Sequence, residues 1–145
     1  MKALHALIAA VMLSVGGAAL AHDDATLDAV KAPHGGQLRA AGIHHYELVV
    51  AALGAKGDAL PVAVYVTDHA GAKVPTQGAS GSVTLLSGGQ KTTIALQPAG
   101  ENLLKGSGAY VPQPGLKAIV SATVAGQPAA QARFEPFAAT AGHSH

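Results

Sequence analysis

Apolar and polar residues alternate in short runs along residues 36–137, and almost nowhere recur at helical spacing. Between 60 and 67, Leu60, Val62, Val64 and Val66 interleave with Pro61, Ala63, Tyr65 and Thr67. That period of two is the mark of a half-buried strand. The same reading predicts strands over 36–40 and 43–51, joined about Ala41 and Gly42. It predicts a second hairpin, 82–87 and 91–97, about Gly88 and Gly89, and a third, 116–124 and 130–137, across 125–128. A shorter run covers 102–105, after which Gly106, Ser107 and Gly108 lead to Tyr110. Asp68-His69-Ala70-Gly71 reads as a turn, because an aspartate side chain there bonds its own backbone. The expected fold is all-β, an immunoglobulin-like antiparallel β-sandwich of about seven to nine short strands.

Both ends read differently. Lys2, the apolar run 4–15 and Ala19-Leu20-Ala21 form a secretory signal peptide over 1–21. The apolar run is short against the roughly 20 residues that span a bilayer. The chain is therefore expected to be periplasmic, with no membrane contact after cleavage. Residues 22–32 are expected as a flexible lead-in with one weak helical turn, 33–138 as the sandwich domain and 139–145 as a flexible tail.

Composition narrows the chemistry. Of nine Lys and Arg, Lys2 lies in the signal, which leaves eight against eight Asp and Glu. Without a basic stripe, nucleic acid and anionic membranes are poor partners. Cysteine is absent and both methionines, Met1 and Met12, fall in the signal. Any metal would be held by nitrogen and oxygen, not by soft sulfur. The chain has no Gly-x-Ser-x-Gly elbow and no phosphate-binding glycine loop before a helix, so no enzyme is expected.

The densest chemistry lies in 33–51. On the strand 43–51, Tyr46, Leu48 and Val50 share a face with His44 and read as core. His45 and Glu47 share the opposite face with Ile43 and Val49. If Gly35 and Gly36 fold the chain back, His34 reaches the same corner. Imidazole nitrogen and carboxylate oxygen suit Zn(II), Cu(II), Ni(II) or Co(II). His34, His45 and Glu47 are thus candidate metal ligands, with His69 as a further one. Glu47 either ligates through oxygen or orients His45. The competing reading makes His45 and Glu47 a solvated cross-strand face and His34 and His69 ordinary turn residues. His44 is expected to be a hydrogen-bonded, partly buried histidine. His22, as a mature N-terminus, would offer an amine and an imidazole to Cu(II), and His143 and His145 lie in the tail.

Pro33-His34-Gly35-Gly36-Gln37, then Gly42 and His45-Tyr46-Glu47-Leu48-Val49-Val50, resembles the opening of a small β-sandwich domain. That domain stands at the N-terminus of periplasmic adaptor subunits of heavy-metal RND efflux pumps. Val64-Tyr65-Val66-Thr67-Asp68 with Gly71 and Lys73-Val74-Pro75 is similar to its strand-turn-strand, and 82–85, 103–108 and 117–124 to its closing strands. The adaptor's coiled-coil hairpin and barrel domains have no counterpart here. The resemblance implies divalent-metal handling, carried onto His34, His45 and Glu47. The function expected is a periplasmic metal-binding accessory protein, passing Zn(II) or Cu(II) toward efflux-system components. The alternative is a non-metal protein-interaction module.

Overall fold

The computed structural model describes residues 24–138; the expectations for the signal peptide, His22 and the tail 139–145 lie outside the described residues. One helical turn, α1 (Asp24–Asp28), precedes eight strands: β1 (Gln37–Ala41), β2 (His44–Val50), β3 (Leu60–Thr67), β4 (Ser80–Ser87), β5 (Gln90–Pro98), β6 (Leu103–Gly108), β7 (Lys117–Thr123) and β8 (Ala130–Phe134). Every ladder is antiparallel, in the order β1-β2-β3-β6-β5-β4-β7-β8. The consecutive strands β4, β5 and β6 are flanked by β3 and β7, each reached by a longer connection. That arrangement is two overlapping Greek keys.

Only two residue pairs, Gln97↔Lys105 and Pro98↔Leu104, join β5 to β6. The halves on either side of this short seam close over one core. Val62, Val64 and Val66 of β3, Val83 and Leu85 of β4, Val120 of β7 and Phe134 of β8 all belong to it. The period-two pattern of β3 is realised in full, with its even-numbered residues buried. Tyr110 ties the two ends of the β2–β3 connection together. Its hydroxyl donates to the Pro61 carbonyl at 2.6 Å and accepts from the Ala51 amide at 2.9 Å.

The first hairpin turns one residue later than its pattern predicts. Its ladder pairs Ala41 with His44, so the two loop residues are Gly42 and Ile43. Gly42 takes φ +59°, a conformation that glycine adopts without steric penalty. Ile43 is consequently exposed at the loop and not part of the strand.

The segment expected as a flexible lead-in is, from Asp24 onward, one helical turn packed against the body. Leu27 is buried, and Arg39 of β1 bonds Asp28 at 2.8 Å and lies 3.6 Å from Asp24. Exposed ion pairs contribute about 0–1 kcal/mol, whereas burying a leucine is worth roughly 1.5–3 kcal/mol. Leu27 therefore holds this turn in place, and Arg39 orients it.

Candidate functional site

β2 is buried on both faces over its first five residues, His44 to Leu48. Tyr46 and Leu48 point into the core, as their alternation requires. The opposite face is not the solvated surface one reading anticipated: Glu47 is 2 % exposed and His45 8 %. Glu47 is met by the segment before β1, which folds back across β2, and His45 packs against His69.

Gly36 makes this close approach possible. A Cβ at that position would collide with the Leu48 carbonyl and the Val49 side chain, so only glycine lets the two backbones meet. Gly35, at φ +75°, turns the chain just before it.

The result is a carboxylate held by three N–H groups. Glu47 Oε2 accepts from the His34 and Gly36 amides, both at 2.9 Å. Oε1 lies 2.9 Å from His34 Nδ1. A carboxylate oxygen accepts, so the contact places the hydrogen on Nδ1, and in a neutral imidazole Nε2 of His34 then keeps its lone pair. The His34 side chain is 40 % exposed while that of Glu47 is 3 % exposed. A buried carboxyl group thus steers a half-open imidazole. Tyr65 completes the arrangement, its ring stacked on His34 with centroids 3.5 Å apart and planes 4° from parallel.

His45 lies on the same face of β2 two residues away, paired in register with Thr67. Its ring meets His69 edge-on, centroids 4.5 Å apart, and its Nε2 lies beneath the surface. His69 stands in the turn after β3, which Asp68 organises by accepting the Ala70 and Ala72 amides at 2.9 Å. His44 opens onto the other face. Burial, reinforced by nearby His69 and partly offset by Asp68, holds its imidazole below the usual histidine range.

The four proposed ligands are therefore drawn together in two pairs, His34 with Glu47 and His45 with His69. The imidazole that Glu47 orients is that of His34. Among the described residues, no three His, Cys, Asp or Glu side chains converge as a metal cluster. Zn(II) would find one well-oriented nitrogen at His34 and a separate imidazole pair, with further ligands to come from movement or water.

Tyr65 was missed by reading residues alone. Nothing in its own neighbourhood marks it. Its place opposite Glu47 becomes visible only once β2 and β3 are in register.

No protein-family model, no curated protein and no solved structure matches this chain.

Proposed function

We propose that this protein binds a divalent metal ion such as Zn(II) or Cu(II), as cargo, on the β2–β3 face, and serves as an exported accessory of metal homeostasis or efflux. One observation carries the reading: the buried Glu47 carboxylate lies 2.9 Å from Nδ1 of a His34 side chain that is itself 40 % exposed. Metal-binding imidazoles are oriented in this way, with the second nitrogen donating to a carboxylate that fixes the tautomer and raises basicity. His34 is the first ligand, Glu47 the group that positions it, and the adjacent His45 and His69 the nearest source of further nitrogen. Such a site is open and modest in affinity, which suits an ion that is to be passed on. The periplasmic setting is part of the same proposal and rests on the pattern of residues 1–21.

The second reading is a non-metal interaction module, favoured by the lack of three convergent donors among the described residues. Calorimetric titration with Zn(II) and Cu(II) separates the two. Under the metal reading, H34A and H45A each weaken binding, and E47Q weakens it by about tenfold, the cost of losing an orienting partner. Equal heats in wild type and H34A, or none in either, select the module.

A further inference from the structure

Aromatic pairs ordinarily sit offset or edge-on, with centroids roughly 4.5–7 Å apart. The rings of His34 and Tyr65 depart from this. Their centroids are 3.5 Å apart and their planes 4° from parallel, so one ring lies almost squarely over the other. Glu47 holds the pair together: it faces Tyr65 across the β2–β3 ladder and lies 2.9 Å from His34 Nδ1. One face of the His34 imidazole is therefore covered by a second ring.

That cover restricts any ion the imidazole binds. An ion on a ring nitrogen takes up its lone pair and so lies in the plane of the imidazole, about 2 Å from the nitrogen that does not face Glu47. The imidazole plane is no more than 3.5 Å from the Tyr65 ring. A further ligand of the ion directed toward Tyr65 would descend by up to about 2 Å, well inside the roughly 3.5–4.0 Å of an ordinary carbon contact. In a tetrahedral ion the other three ligands are spread evenly around the metal–nitrogen bond, so at least one always points to the Tyr65 side. The same holds for an octahedral ion. A square-planar ion whose plane coincides with the imidazole sends no ligand there.

We infer that Tyr65 is the specificity-determining residue of this site, and that the ion it selects is Cu(II), held in a square plane that includes His34. Zn(II) takes a tetrahedral shell and Cu(II) a square one, and Ni(II), which can share the square geometry, ranks below Cu(II) in affinity for nitrogen and oxygen. The inference rests on the metal reading above and goes beyond it in naming one ion and the side chain that chooses it.

Competition titration of the full chain with Cu(II) and Zn(II) against a chelator tests it, counting only the binding that H34A removes. Cu(II) exceeds Zn(II) at most nitrogen sites, so the wild-type ratio of the two affinities decides nothing by itself. Its change on removing the ring is decisive. In Y65A the ratio of Cu(II) to Zn(II) affinity is expected to fall about tenfold, the scale on which side chains around a metal act, and Y65F, which keeps the ring, restores it. A ring that merely supported His34 would weaken both ions alike and leave the ratio in place. Tyr65 is half-buried and lies outside the core cluster. Should Y65A nonetheless lose its amide dispersion, Y65T, a residue favoured in strands, carries the same comparison. Equal ratios in wild type and Y65A overturn the inference and leave the metal reading standing, as does a ratio that falls equally in Y65F. Absence of H34A-sensitive binding of either ion overturns both.

Discussion

His34 lies flat on Tyr65 while its Nδ1 points at Glu47, and one cross-strand pair is responsible for both contacts. Tyr65 and Glu47 sit opposite each other in the β2–β3 register. The stack sets the plane of the imidazole, and the carboxylate sets its rotation within that plane. A turn residue with no regular structure of its own is thereby held by two strands.

Replacing the carboxylate tests how much of the segment before β1 depends on it. E47A leaves the His34 and Gly36 amides without their acceptor, and bonds to a charged acceptor are worth about 1.5–3 kcal/mol. We expect a loss of about 2–4 kcal/mol in urea unfolding, read at constant m-value. A change under about 0.5 kcal/mol would mean that the amides find water just as easily.

Adding one methyl group at Gly36 should be costly for a different reason. The new Cβ meets backbone, the Leu48 carbonyl, which cannot rotate away. G36A is expected to destabilise by about 1–3 kcal/mol, the usual cost of overpacking. It should also broaden or shift the amide signals of 34–36 and 47–49. At Gly35 a Cβ finds no atom within 4 Å, so G35A carries only the left-handed backbone penalty of about 1 kcal/mol. Equal losses at the two positions would contradict the close approach.

Tyr110 offers a test far from the site. Y110F removes the bonds to Ala51 N and Pro61 O together while the ring stays buried. The expected loss is about 1–3 kcal/mol, spread between the bond and the groups left unmet. Thermal unfolding that matches wild type would show that the hydroxyl is dispensable.

His44 makes stability depend on pH. Burial, helped by His69 and opposed by Asp68, lowers its folded-state value below the ordinary imidazole value of about 6.5. The unfolded chain then binds more protons across that window, so stability rises with pH there. The contribution is intact above roughly 6.5 and is lost as pH falls through 6.5 toward the folded-state value. Urea midpoints between about pH 5 and 7.5 should fall on the acid side in wild type. The fall should be shallower in H44F, whose ring cannot charge. Parallel profiles would assign the dependence to other groups.

Strand positions were legible in the residues because a sheet half in water writes its period directly. β3 is the clearest instance, and the β4–β5 hairpin about Gly88 and Gly89 follows from two consecutive turn residues. Gly106 and Gly108 were harder to place, since the residue pattern ended its run at 105. They lie inside β6, where Ile94 and, at Gly106, the Ala95 carbonyl occupy the space a side chain would need. A glycine reports that something comes close, without saying whether a bend or a neighbour does so.

The amino-acid sequence by itself determined the all-β class and the face on which Tyr46 and Leu48 enter the core. It also marked His34, His45, Glu47 and His69 as residues worth watching. Those features depend on local alternation, which a strand carries within its own few residues. Only the tertiary structure decided that Glu47 serves His34, that Tyr65 joins them and that His45 turns to His69. Each of these depends on a register or a crossing between segments distant in the chain, and a one-residue change in hairpin length moves a side chain to the other side of the sheet.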